Sequence, residues 1–414
     1  MSNKLYVGVD VHSEDNTACF LNEEGSMLSK TFSFPNSLPG AKLLEERIVQ
    51  TGEENKLNEI KIATEATSFL DLHLVDFLAT SKVLAKYSLG VYQLNPKITH
   101  GFKKVYPDKD KTDPDDAFVA ADRLRFGHLP QPYQEHEPYM VLQRLTRYRF
   151  HLVETITQEK NRFLTHLFLK FSRFEVIKPF SNSFSATSKE LISQFYDVDE
   201  LACAPMEELV SFILKYGKSR FPNPEEVVDK LKQVARESYR IRPALARSIN
   251  LILALSLQTI RALEKNLREI DKAISEEFKG FPNTLISIRG IGPVYAAGIF
   301  AETGNINRFH NQAELAKFAG ITWRKTKSAN FEAQNTRMTK TGNQYLRYYL
   351  IQAANSLRVH NEEYKLFYQR KHDEATKHHH KRAVVLTARK LVRLVFSLLK
   401  NNCLYQERVE KGSV

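Results

Sequence analysis

Cysteine is scarce in this chain of 414 residues: Cys19, Cys203 and Cys403 stand about two hundred positions apart. That spacing spells neither a CxxC ligand pair nor a disulfide framework, so structural zinc and a stapled secreted fold are excluded. With only 16 Gly and 15 Pro the chain is not collagen-like or low in complexity. No run of about eighteen apolar residues occurs, and MSNKLYVGVDVH lacks the basic-then-apolar layout of a secretory signal. The expectation is a cytoplasmic protein with no membrane span and no export peptide. What is present, 42% hydrophobic and 26% charged side chains, is globular protein with material for two or three cores.

Negative charge is what the C-terminal third lacks. Residues 281–414 carry 22 Lys plus Arg against 9 Asp plus Glu, a balance of +13, while the preceding 280 residues come to −1. A net charge of +12 placed at one end is the electrostatic footprint of a polyanion partner, with nucleic acid the leading candidate over a merely soluble basic surface.

The first 131 residues read as α/β. KLYVGVDVH, TACFLNEEG and SMLSKTFSF suggest an antiparallel three-strand meander, followed by a helix near 41–50, the strand EIKIATE, a helix near 68–80 and the strand GVYQLNP. Three antiparallel strands followed by βαβ units describe a mixed sheet in ribonuclease-H-like order. From 132 to 280 the pattern turns to long helices. Leu142, Leu145, Tyr148, Leu152 and Ile156 form one stripe, and Leu253, Leu257, Ile260, Leu263, Leu267, Ile270 and Ile274 form another close to a heptad seam. These stripes are expected to serve assembly. Between them, 180–224 reads as an inserted subdomain or loop-rich connection. A basic helical region fills 281–414, and its His378-His379-His380 run reads as solvated rather than metal-binding.

Asp10 stands between valines in an apolar strand, where a carboxylate is costly unless something pairs it. Glu65 ends a later strand that a parallel pairing would bring alongside. In KTDPDDAFVAADRLRFG, Asp113 as helix cap and Pro114 as first residue would put Asp113 and Asp116 on one face of an opening turn. Four hard oxygen ligands suit Mg²⁺, with Mn²⁺ possible, for phosphoryl transfer. Singly, Asp113 and Asp116 are explained as cap and dipole partner and Glu65 as a solvated strand end; Asp10 has no such account. Asp115 and Asp122 read as solvated.

Near the C-terminus, Gly290-Ile291-Gly292-Pro293 suggests a helix-hairpin-helix turn offering backbone N–H groups to a phosphate, with a plain αα-hairpin as competitor. Ser328 lies among Arg324, Lys325 and Lys327, and Arg337, Lys340, Asn343 and Arg347 follow. All of these, with the two glycines, are candidate nucleic-acid contacts. A serine in a basic loop is more often a phosphate contact than a nucleophile.

Across nearly the whole chain, VGVDVH, ATEATSF and NPKITHGFKKVYPDKDKTDPDDAFVAADRLR, then IRGIGPVYAAGIFAETGNINRF, FAGITW and TKTGNQYLRYYLIQAANSLR, resemble the DEDD insertion-sequence transposases, described as bridge-RNA-guided recombinases. The resemblance implies a RuvC-like domain with its tetrad on Asp10, Glu65, Asp113 and Asp116, a helical coiled-coil region, and a transposase domain whose catalytic serine matches Ser328. The family's serine usually precedes glycine; here it precedes Ala329. The resemblance also implies Mg²⁺-dependent strand cleavage through a phosphoserine link, a Holliday-junction intermediate, donor and target DNA, a structured guide RNA, and a dimer or tetramer working at the nucleoid of a prokaryote. A junction-resolving nuclease using water, or a non-catalytic nucleic-acid-binding protein, are the alternatives.

Overall fold

The computed structural model describes residues 3–66, 69–106, 112–130, 132–133, 137–194, 197–218, 220–282, 284–323, 327–328, 331–332 and 338–407, in two compact units, 1–137 and 138–414. The first unit holds β1 (Lys4–Val11), β2 (Asp15–Leu21), β3 (Phe32–Pro35), α1 (Leu38–Glu54), β4 (Glu59–Glu65), α2 (Leu72–Ala79), β5 (Ser88–Leu94), α3 (Pro96–Lys103) and α4 (Asp113–Phe126). The strands form one sheet in the order β3-β2-β1-β4-β5, antiparallel from β3 to β1 and parallel from β1 to β5. This is a mixed α/β sheet consistent with ribonuclease-H-like order.

Alternation along β1 sorts the two faces. Leu5, Val7, Val9 and Val11 join Leu44, Ile48, Val75 and Leu78 of α1 and α2 in one core. Tyr6 belongs to the opposite core, with Ala117, Ala120, Ala121 and Leu124 of α4. Gly8 sets how closely α4 lies on the sheet: a Cβ there would meet the Ala117 carbonyl oxygen at 2.1 Å and the Ala121 nitrogen at 2.3 Å. Thr112, not Asp113, caps α4, its side chain accepting from the Asp115 N–H, with Asp113 and Pro114 in the first turn. Asp122, expected in solvent, is buried and bonded by the Tyr106 hydroxyl and the Arg125 Nε.

The second unit comprises α5 (Glu137–Lys170), α6 (Phe174–Ile177), α7 (Ala186–Gln194), α8 (Val198–Cys203), α9 (Met206–Gly217), α10 (Pro224–Glu237), α11 (Pro243–Glu277), α12 (Pro293–Thr303), α13 (Gln312–Phe318), a two-residue hairpin of β6 (Lys327–Ser328) and β7 (Phe331–Glu332), α14 (Gln344–His360), α15 (Glu362–Asp373) and α16 (His379–Asn401). Segment 180–224 holds the helices α7, α8 and α9, and Asp197 caps one of them, accepting from the Asp199 and Glu200 N–H groups at the start of α8.

α5 and α11 run antiparallel as two beams, with rungs from Arg149 to Asp271 (2.5 Å), Lys160 to Glu264 (2.9 Å) and Ser256 to Glu159 (2.5 Å). Both pass through two cores. One gathers Phe163, Leu167, Leu253, Leu257 and Ile260 with α7–α10; the other gathers Leu142, Ile274 and Phe278 with α12, α14 and α16. The seam of α11 is therefore spent inside the chain at these positions, and its Leu263, Leu267 and Ile270 are half-buried. On α5, Thr146 and Arg149 turn inward where Tyr148 was expected, because the Tyr349 hydroxyl donates to the Thr146 carbonyl and Asp271 holds Arg149. Helix 243–280 includes an eighteen-residue window of mean hydropathy 1.2, long and apolar enough to cross a membrane, with 28% of it buried.

Candidate active site

The parallel register Val9↔Thr64 puts Asp10 and Glu65 side by side, one step beyond the last paired residues of β1 and β4. Both lie on the face covered by α4, Asp10 in step with Tyr6 and Glu65 in step with Ala63. The close seat of α4 over Gly8 brings its first turn, with Asp113 and Asp116, to the same strand ends. All four sequence candidates of the acidic set thus meet at one end of the sheet.

Their electrostatics show the proximity. Burial pushes the Asp10 carboxyl above its usual range; His12 draws it back, and the charges of Asp116 and Asp113 push it up again. Burial likewise raises Glu65, helped by Asp10 and Asp116 and opposed by Lys103. Asp116 is bonded by the Lys103 ammonium at 2.5 Å. His12 Nε2 stands 3.2 Å from Asp10 Oδ2 and 3.5 Å from Asp113 Oδ1. Asp10, His12 and Asp113 each offer a donor atom within 4.8 Å of the others, a donor set that fits a divalent cation.

Two of these residues escaped the sequence reading. His12 had a signal, since a residue two beyond Asp10 on a strand shares its face. Lys103 had none, because its partner is thirteen residues away on another helix.

The C-terminal candidates fare differently. Gly290 has φ +104°, open to glycine, and Gly292 is the exposed cap residue of α12. The arm before them is a single 3₁₀ turn, Thr284–Ser287, rather than an α-helix, which confines the helix-hairpin-helix likeness to the turn and the helix start. Asn343 caps α14, accepting from the Tyr345 and Leu346 N–H groups, and its amide donates to Glu302, itself clamped by Arg147 at 2.7 and 2.9 Å. Arg347 donates to the Ala319 and Lys340 carbonyls. These two side chains tie the base of the basic loop, a positioning role that the sequence did not indicate. Lys340 is exposed. Ser328 pairs by its backbone with Phe331 in the β6–β7 hairpin, which also holds Lys327, while Arg324, Lys325 and Arg337 lie outside the described residues.

A DEDD transposase family model of the IS110 type matches residues 7–171, the span that carries all four acids. A second, described as Transposase IS116/IS110/IS902 family, matches residues 283–369, from the glycine turn through α14. The chain belongs to the IS110 family of transposases. Among relatives of this IS110-family chain, the Insertion element IS116 uncharacterized 44.8 kDa protein of Streptomyces clavuligerus is 21% identical over 97% of this chain and 96% of its own length. The Transposase for insertion sequence element IS1111A of Coxiella burnetii is 27% identical over 38% of this chain and 43% of its own length. The Insertion element IS110 uncharacterized 43.6 kDa protein of Streptomyces coelicolor is 22% identical over 74% of this chain and 75% of its own length.

Proposed function

We propose that this transposase cleaves and exchanges DNA strands with Asp10, Glu65, Asp113 and Asp116 as the ligands of Mg²⁺ or Mn²⁺ and Ser328 as the nucleophile. The observation that carries the reading is the convergence of four carboxylates from β1, β4 and α4, two of them raised by burial and mutual repulsion. An excess of negative charge held out of water is stabilised by a cation. When bound, the ion supplies positive charge to phosphate oxygens as bonds to phosphorus change.

The chain's own residues do the rest. α4, seated over Gly8, fixes two acids against the strand pair, and Lys103 orients Asp116. The Ser328 oxygen forms a bond to phosphorus as the bond to the departing sugar oxygen breaks; the serine proton leaves and the sugar oxygen gains one. One phosphoester replaces another, so the link is reversible and a second strand's hydroxyl takes the place of the serine.

The positive charge of 281–414 supports binding to DNA, and the proposal adds a second polyanion, a guide RNA that would pair with donor and target. Lys340, Lys327, Arg324, Lys325, Arg337, Asn343, Arg347 and the Gly290-Gly292 turn are proposed nucleic-acid contacts. Two strand exchanges need more than one serine, which supports a dimer or tetramer. Acting on DNA, the protein would work in the cytoplasm, at the nucleoid of a prokaryote.

Ser328→Ala is the test. Incubated with labelled donor and target DNA, the variant should lose the covalent protein–DNA adduct and recombination together while keeping nucleic-acid affinity, most of which comes from Lys and Arg. Asp10→Asn run alongside should abolish cleavage as well. If Ser328→Ala still cuts and leaves free ends, water is the nucleophile and the enzyme is a metal-dependent nuclease. Sequencing the nucleic acid that co-purifies with wild type decides the RNA.

A further inference from the structure

We propose that His12 is a nitrogen ligand of the ion held at the acidic site and makes that site favour Mn²⁺ over Mg²⁺, an inference that rests on the tetrad reading. The spacing supports it. Two neighbouring ligands of an octahedral ion with bonds of about 2.1 Å stand roughly 3 Å apart, and Nε2 of His12 lies 3.2 Å from one Asp10 oxygen and 3.5 Å from one Asp113 oxygen.

The residue is also held for the task. Its backbone N–H donates to the Asn16 side chain at 3.2 Å, and its carbonyl accepts from the Asn36 side chain at 2.7 Å. Both ends of the residue are thus tied down at the exit of β1, on the face that carries Asp10, while the imidazole itself stays 55% exposed and costs the fold little. Its donor atom stands within 4.8 Å of those of Asp10 and Asp113. The donors gathered at the acidic site are therefore carboxylates and an imidazole rather than carboxylates alone.

That composition has a chemical consequence. Mg²⁺ prefers oxygen and keeps its waters, whereas imidazole nitrogen suits first-row transition ions. Replacing one oxygen donor by nitrogen moves the preference from Mg²⁺ toward Mn²⁺ without changing the charge that the carboxylates present.

The full-length protein titrated with Mn²⁺ and followed by pulsed electron paramagnetic resonance reads the ligand directly. Wild type should show the nitrogen coupling of a directly bound imidazole. His12→Gln should lose that coupling and on the order of tenfold in Mn²⁺ affinity, with Mg²⁺ affinity, measured by competition, unchanged. Bound Mn²⁺ without nitrogen coupling, or coupling that persists in His12→Gln and so arises elsewhere, for instance at His378–His380, overturns the assignment. Asp10→Asn separates the two levels. If it leaves Mn²⁺ binding intact, the tetrad reading itself fails; if it abolishes binding while His12→Gln changes nothing, the tetrad stands and His12 is not a ligand.

Discussion

A carboxylate and an ammonium buried in the same chain meet very different company. Asp71 is 1% exposed and accepts from Thr64 and Gln93, so its burial is answered by protein. Asp10 faces other acids, and the strand sequence marked it as a candidate because it stands between valines. Lys170, 4% exposed, donates to the Ile192 carbonyl in the last turn of α7. Burial pushes its ammonium down to about 8, against the pull of Glu200 and Asp197. The folded chain then releases this proton near pH 8, and the unfolded chain keeps it until about 10.4. Between those values the unfolded state binds more protons, so stability rises with pH, by up to about 3 kcal/mol. Denaturant unfolding of wild type and Lys170→Met across this range checks it: the difference between the two curves should climb with pH, and a flat difference would mean the ammonium is not desolvated. Asn343 and Arg347 show where residue-level reading stops. Asn343, a polar side chain after a glycine, serves equally as helix cap or as ligand, and the partners of the two, Glu302 for Asn343 and the Ala319 carbonyl for Arg347, are distant in sequence.

At the scale of elements β1, β4 and β5 were readable as short apolar runs because each strand buries residues on both faces, and the helix-breaking residues marked most ends. What the seam of α11 packs against was not readable. A heptad pattern reports that a stripe is buried, and an intramolecular core satisfies it as well as a second chain does. Segment 180–224 was equivocal because Ser, Asn and Pro favour helix starts and loops alike. Gly8 is the element-level determinant of the site. Any Cβ there points at backbone atoms of α4, which must retreat by about 1 Å or more to reach ordinary contact. Gly8→Ala should therefore cost about 1–3 kcal/mol by overpacking, and it should weaken divalent-ion binding in the same variant by drawing Asp113 and Asp116 away from Asp10. Thermal melts with and without Mn²⁺ measure both. Full ion-induced stabilisation in a destabilised variant would show that α4 adjusts locally and that the glycine serves packing alone.

Along the chain the acidic set lies in the first compact unit, and the positive excess lies in the second together with the proposed nucleophile Ser328, as the charge count already indicated. How copies of the chain meet is the question left to the surface. The inward side of α11 is occupied by Leu253, Leu257 and Ile260, but its outward side carries Leu245, Leu251 and Leu255 at 50%, 62% and 53% exposure. Exposed leucines on one side of a helix are where association is predicted, so if copies of the chain meet through α11, the prediction passes from the seam expected in sequence to the opposite side of the same helix. Leu251→Glu with Leu255→Glu places two charges where a partner would have to bury them, which association does not tolerate. Because both side chains are exposed in the single chain, the fold should lose no more than about 0.5 kcal/mol per site. Sedimentation at matched concentration should show the mass falling to that of one chain with an unchanged melting temperature at high dilution. A variant that keeps the wild-type mass would take assembly away from this face, and one that loses mass and stability together would show that these leucines pack within the chain after all. Leu257→Ala supplies the opposite signature, about 2–5 kcal/mol of lost stability from a core cavity, and reading the two variants side by side distinguishes a docking face from a core.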